Sequence, residues 1–160
     1  MTIEPRDFRN TVGCFATGVT IITTIDSEGN PIGLTANSFT SLSLDPPMVL
    51  FCLDRNVASF DEFQMGGHFA VNILSTSQQD ISNRFAKSGP EKWEGCEFSS
   101  WDTGSPIFPG CLASMECDVT SIIDGGDHVI VLGKVIRMER DDEFSKPLLY
   151  FRGGYANLAD

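Results

Sequence analysis

The chain is short of what acid–base enzymes and nucleic-acid binders rely on. Only two histidines, His68 and His128, occur in 160 residues, so proton-transfer machinery is scarce. Basic residues number 11 against 22 acidic ones, for a net charge of −11. A nucleic-acid backbone calls for clustered Lys and Arg, so the balance argues against DNA or RNA as a partner. It argues against an anionic membrane surface for the same reason. A single small-molecule phosphate stays open, because one Arg, a few hydroxyls and backbone N–H groups can hold it. No apolar run approaches the roughly 20 residues of a membrane span. The N-terminus, Met1 to Arg6, lacks the basic and apolar regions of a signal peptide. The five cysteines, Cys14, Cys52, Cys96, Cys111 and Cys117, are odd in number and form no Cys-x-x-Cys. That argues against a disulfide framework or a zinc site. The expectation is reduced, buried thiols in a cytoplasmic protein. Two histidines without a glutamate cluster predict no metal centre. The Gly-x-Ser-x-Gly elbow of serine hydrolases and the Rossmann glycine fingerprint are both missing.

What remains is ordinary globular material with a phenylalanine bias. The length fits one domain over residues 1–160. Twelve Phe against two Tyr and two Trp predict a well-filled core or a flat apolar ligand pocket.

Periodicity places the elements. Phe8, Val12 and Phe15 share a face of a short helix over residues 7–15, ending by Gly18. Val19 to Ile25 is β-branched and reads as a strand. A turn over residues 26–31 returns the chain into a second strand at Ile32 to Ala36, a hairpin. Met48 to Leu53 is an apolar strand. Residues 56–64 read as a helix capped by Asn56, with Val57, Phe60 and Phe63 at helical spacing. His68 to Leu74 is a strand, and residues 77–87 a helix with Ile81 and Phe85 at i, i+4. Residues 88–111 are rich in Gly and Pro and read as one surface excursion, a candidate lid. Leu112 to Ile123 and His128 to Arg140 are long strands joined by Asp124-Gly125-Gly126-Asp127, strong hairpin chemistry. A last strand covers residues 147–151. Strands dominate with two or three helices inserted, which predicts a mainly β fold, an antiparallel barrel that leaves no exposed edge.

The most informative stretch runs from Gly33 to Pro47. It collects Thr35, Asn37, Ser38, Thr40, Ser41 and Ser43 in one turn-rich run and ends at two prolines. Short polar side chains and unhindered backbone N–H groups suit a phosphate or the edge of a heteroaromatic ring. The same residues also suit a capped turn with no ligand. His128, after Gly126 and Asp127, is either a solvated turn histidine or a donor at a pocket mouth oriented by Asp127. His68 reads as structural. The thiols have no basic neighbour in sequence, so a nucleophilic cysteine is disfavoured. A ligand-binding pattern with so few acids and bases fits chemistry carried by a cofactor, and hydride transfer fits well.

The ordered set of segments resembles the short-chain flavin reductase family, often the reductase component of two-component flavin-dependent monooxygenases. The matching pieces are Phe8-Arg9, Gly13 to Thr24, Gly33 to Pro47, Phe69 to Leu74, Gln78 to Ala86, Gly126-Asp127-His128 with Leu132 to Val135, Pro147-Leu148 and Gly154-Tyr155. The resemblance implies a split β-barrel of Greek-key antiparallel strands, a homodimer, and reduction of FMN or FAD by NADH or NADPH. It implies a partner monooxygenase that receives the reduced flavin. Carried over by position, Thr35, Ala36, Asn37, Ser38 and Phe39 would line the flavin ring. Ser41 and Ser43 would reach its side chain or phosphate. Cys52, Leu53, Asp54 and Ser59 would form a second flavin-contacting stretch, and Arg84 with Phe85 a third. Asp127, His128 and Tyr155 would meet the nicotinamide. Two other uses of the same fold stay open: a flavoprotein that retains its flavin and reduces another acceptor such as a corrin, and a non-catalytic flavin-binding redox carrier.

Overall fold

Five consecutive residues, Thr20 to Thr24, are buried, so the strand that holds them is covered on both faces. The computed structural model describes residues 2–143 and 145–159. In chain order its elements are α1 (Pro5–Val12), β1 (Thr17–Gly18), β2 (Thr20–Ile25), β3 (Pro31–Ala36), β4 (Thr40–Leu44), β5 (Pro47–Asp54), β6 (His68–Ile73), α2 (Gln79–Phe85), β7 (Ser99–Ser100), β8 (Pro106–Ile107), β9 (Ala113–Gly125), β10 (His128–Arg140), β11 (Leu149–Phe151) and β12 (Gly154–Ala156).

Seven strands form one antiparallel sheet in the order β3-β2-β6-β9-β10-β5-β4. Laid flat, its two edge strands would stand about 29 Å apart at the usual strand spacing. Yet β3 and β4 are joined by residues 37–39 alone, a link that spans at most about 14 Å. The sheet must therefore curl until its edges meet. Among the described residues β3 and β4 are not hydrogen-bonded to each other, so the result is an antiparallel barrel open along one seam, a split barrel.

Alternate residues of β5 and β10 point inward. Phe51, Leu53, Val129 and Val131 join Ile22, Phe69, Val71 and Cys117 in the barrel interior. Phe51 meets Phe69 and Phe63 edge-on at 5.1 and 5.7 Å. Gly133 is part of this packing: a Cβ there would lie 2.4 Å from Phe69 Cζ and 2.9 Å from Cys117 Cβ. A second core covers the outer face of β2, where Val19 and Ile21 pack with Leu74, Phe85, Phe108 and Leu148. It is fastened by polar contacts. Asn72 Nδ2 donates to the carbonyls of Ile21 at 3.3 Å and Pro106 at 3.2 Å, and its Oδ1 accepts from Phe108 N at 3.0 Å. Buried Glu116 accepts from Asp102 N, Thr103 N and Thr103 Oγ1 at 3.2, 3.0 and 2.6 Å.

Several expected elements change. The N-terminal helix is Pro5–Val12, capped by Gly13 rather than reaching Phe15, and none of its residues is buried. Its apolar stripe of Phe8 and Val12 faces solvent. The helix expected over 56–64 is a single 3₁₀ turn, Phe60–Glu62. Asn56 is no helix cap: its N–H and side-chain amide both donate to Asp54 Oδ1, at 2.8 and 3.0 Å. Arg55 N donates to Asp127 O at 3.0 Å, which ties this turn to the β9–β10 hairpin. Residues 40–44, expected as loop, are strand β4. The 88–111 segment is not a surface excursion, since Ser105, Ile107 and Phe108 are buried in it. The long hairpin stands as expected, with Gly125 paired to His128 around Gly126 and Asp127, and Gly126 in the left-handed region at φ 82° that the turn requires.

Candidate functional site

The outward-facing residues at the C-terminal ends of β3 and β5 lie side by side across the seam. Ser38 holds them there. Its Oγ accepts from Cys52 N at 2.9 Å and donates to Cys52 O at 3.1 Å, so this hydroxyl clamps the two strand ends together. Over them lies a cavity of about 770 Å³, within the range of small-molecule sites. Its floor is β3 from Pro31 to Ala36 with Asn37 and Ser38. One wall is Cys52 to Asp54, Val57 to Ser59, Glu62 and His128. The other is Phe85 to Pro90 with Lys92 and Trp93.

Local forces fix each wall. Gly33 has no side chain, and a Cβ there would come within 3.0 Å of both Phe85 Cε1 and Trp93 Cζ2, so its absence lets two aromatic rings lie on the floor. Thr35 Oγ1 donates to Ser82 O at 2.7 Å, which pins α2 to β3. Trp93 meets Phe85 edge-on at 4.7 Å and lies parallel to Phe108 at 5.7 Å. His128 pairs with Asp54 across β10 and β5, which sets it at the cavity edge. Its Nδ1 is 2.8 Å from Asp127 Oδ1. That hydrogen bond, with the charge of His128, holds the Asp127 carboxyl below its usual range. An ionised carboxylate can only accept, so the imidazole carries a proton on Nδ1 and Nε2 is left for the cavity.

Ten of the residues singled out in the sequence line this cavity: Thr35, Ala36, Asn37, Ser38, Cys52, Leu53, Asp54, Ser59, Phe85 and His128. Six do not. Phe39 is half-buried against the barrel interior. Ser41 and Ser43 sit on β4 opposite Val49 and Met48, past the seam. The Arg84 guanidinium donates to the carbonyls of Glu94 and Glu91, bracing the loop after α2. Tyr155 bonds Ser82 Oγ at 2.7 Å through its hydroxyl and packs in the second core. Asp127 reaches the site only through His128. Gly33, Val57, Lys92 and Trp93, which sequence reasoning does not assign to a ligand, also line the cavity. A conspicuous Trp beside Lys in a Gly/Pro-rich stretch was the available signal for the last two.

The lining combines apolar side chains (Ile32, Leu34, Val57, Phe85, Trp93) with short polar groups at one edge (Asn37, Ser59, His128). Among the described residues Asn37 makes no side-chain hydrogen bond, so its amide faces the cavity uncommitted. No two titratable side chains of the lining are hydrogen-bonded to each other: Asp26 is held by Asn30 and Asp54 by Asn56. The site offers apolar surface beside polar edge groups and has no hydrogen-bonded acid–base pair of its own. These residues fit a flavin: an apolar shelf for a ring system, donors along its edge, and cations at one end for a phosphate.

Comparison with known proteins agrees. The family model described as flavin reductase like domain matches residues 12–159. A reductase subunit of a flavin-dependent monooxygenase, HsaB of Rhodococcus jostii, is 43% identical over 156 residues, covering 98% of this chain and 79% of that protein. A probable flavin reductase of Rhizobium meliloti is 43% identical over 152 residues; 95% of this chain aligns, spanning only 48% of that longer protein. The crystal structure of a nitrilotriacetate monooxygenase component B homologue from Mycobacterium thermoresistibile superposes with a TM-score of 0.91 at 45% identity, covering 96% of this chain and 86% of that one.

Proposed function

The chain belongs to the flavin reductase-like family, and from that premise we propose that it reduces FMN or FAD with NADH or NADPH in the cavity over the β3–β5 seam. The observation that carries this is the cavity itself, a ring-sized shelf with edge donors and no internal acid–base pair. When bound, the nicotinamide supplies a hydride and the flavin accepts it, so the protein's share is placement.

Each part of the wall has a task. The floor from Thr35 to Ser38, held rigid by the Ser38–Cys52 clamp, supports the flavin ring. The Asn37 amide and nearby backbone N–H groups meet its polar edge. Val57 and Phe85 exclude water from its faces, which strengthens every polar contact at the rim. Ser59 lies where the flavin side chain leaves the shelf. His128, its tautomer fixed by Asp127, docks the nicotinamide nucleotide.

Reduced flavin passes to a partner monooxygenase. The relatives that are reductase components support this, and the open rim of the cavity gives the product an exit. The working form is a homodimer. Phe8 and Val12 on α1, Phe15 (79% exposed), Leu44 (95%) and Met138 (73%) are apolar surface that a second copy would cover. Light scattering of the purified protein checks that state, with a mass of twice the chain expected.

The function is tested by mixing the protein with FMN or FAD and NADH or NADPH, then following loss of nicotinamide absorbance. Saturable oxidation with at least one pair is expected. A protein that binds flavin yet oxidises neither nicotinamide would be a carrier and not a reductase.

A further inference from the structure

The cavity is longer than one ring system needs. It follows β3 from Asn37 back to Gly33, about 13 Å along a strand, and its far end has a different character. There the wall is Lys87, Ser88, Pro90, Lys92 and Trp93. The Trp93 indole is braced on the protein side by Phe85, Phe98 and Phe108, at 4.7, 5.3 and 5.7 Å. A half-buried indole held this firmly is a stacking platform with little entropy left to lose. Beside it, Lys92 is withdrawn from water. Its Nζ donates one N–H to Lys87 O at 3.2 Å and lies 5.7 Å over the Phe85 ring, leaving two donors uncommitted. Burial draws its pKa down, partly offset by Glu91. Of the lining carboxylates Asp26, Asp54 and Glu62, by contrast, the first two are turned into their own turns by Asn30 and Asn56. In a chain of net charge −11, this end sets two ammonium groups, Lys87 and Lys92, beside the half-buried Trp93 indole.

We propose that the Gly33 end of the cavity binds the adenylate half of a dinucleotide, its adenine stacked on Trp93 and its phosphates held by Lys92 and Lys87. The inference rests on the flavin reductase assignment, because both FAD and a nicotinamide dinucleotide carry such a half. It makes Trp93 and Lys92 the residues that separate dinucleotides from mononucleotides.

Trp93 and Trp101 are the two tryptophans of the chain, and Trp101 lies under Arg137, 4.4 Å away, outside this cavity. In Trp101→Phe protein Trp93 is therefore the sole indole reporter. Titration with ADP, which is colourless at these wavelengths, should quench it saturably. Lys92→Met should weaken that binding about tenfold, the usual worth of a charge-assisted hydrogen bond. In turnover, Trp93→Leu should cut kcat/KM about tenfold for one dinucleotide, the worth of a stacked base. If FAD is affected and FMN spared, the adenylate is the flavin's. If NADH is affected and reduced nicotinamide mononucleotide spared, it is the nicotinamide's. No quenching by millimolar ADP in protein that retains flavin-dependent turnover would overturn the proposal and leave the flavin assignment standing. Absence of NAD(P)H oxidation with every flavin would instead strike that assignment, and the ADP titration is readable without turnover.

Discussion

The barrel interior and the second core meet on opposite faces of β2, yet they are filled by different means. Inside, Ile22, Phe51, Phe69, Val71, Val129 and Val131 pack by shape, supplied by neighbouring strands of one hydrogen-bonded sheet. Outside, Phe85, Trp93 and Phe108 come from helix and irregular chain, and hydrogen bonds from Asn72, Thr35 and Tyr155 fasten those segments to the barrel. The cavity lies between the two. Its floor belongs to the rigid barrel and its far wall to the fastened layer. The lesson is a division of labour, in which the first core sets the shape of the shelf and the second sets what can rest against it.

The largest expected break falls in the interior. Gly133→Val drives methyl groups into Phe69 and Cys117, where even a Cβ is 2.4 Å from a ring carbon. A loss of about 3 kcal/mol or more is expected from overpacking, measured by urea denaturation. An unchanged midpoint would mean that the interior yields.

The contrast is sharpened by pairing one change from each core. Asn72→Ala strips partners from Phe108 N and the Ile21 and Pro106 carbonyls, at about 2–4 kcal/mol. Val131→Ala removes methyl groups from the interior at about 1–3 kcal/mol. Both should lower the denaturation midpoint, but Asn72→Ala alone should raise KM for flavin, because it loosens the layer that carries Phe85 and Trp93. Equal effects on KM would erase the distinction.

Each core also holds one buried thiol. Burial pushes Cys117, in the interior, from 9.0 up to about 12, and Cys111, in the second core, from 9.0 up to about 11. As pH rises past 9 the unfolded chain loses these protons while the folded one keeps them. Stability present below pH 9 is thus lost between about pH 9 and 12, at up to about 1.4 kcal/mol per pH unit for each thiol. Denaturation midpoints against pH should fall over that window. Mass-resolved alkylation should mark Cys111 before Cys117, and the reverse order would contradict the tighter packing of the interior.

The smallest effect belongs to the rim. His128→Ala should raise KM for NAD(P)H about tenfold, the worth of one charged hydrogen bond, with flavin affinity unchanged. A KM that does not move would take His128 out of the site.

How much of this was visible in the sequence follows the same division. The interior strands announce themselves. Met48 to Leu53 and the hairpin around Gly126 are apolar runs or alternations bounded by turn residues, and each is a strand. β4 does not, because an edge strand with both faces largely exposed has no alternation to show. The turn at 56–64 misleads for the opposite reason: Val57, Phe60 and Phe63 have helical spacing, but they are drawn onto the barrel core one by one, and Asp54 takes the amide that would have capped a helix. The floor of the site was legible because Thr35 to Ser38 are consecutive. The far wall was not, because Gly33 and Trp93 are distant in sequence and only their contact reveals Gly33 as the seat of two rings. Arg84 and Tyr155 look like ligand groups by type, yet each finds its partner within the fold.

Flavin in the cavity over the seam is the placement on which the proposed function depends. Ala58 is exposed on its wall and belongs to neither core, so Ala58→Trp fills the cavity and spares the fold. Steady-state NAD(P)H oxidation against flavin concentration, in wild type and Ala58→Trp at matched melting temperature, puts the claim to the test. Saturable oxidation by the wild type and a flavin KM raised at least about tenfold by the plug are expected. Superimposable saturation curves would place the chemistry elsewhere on the molecule.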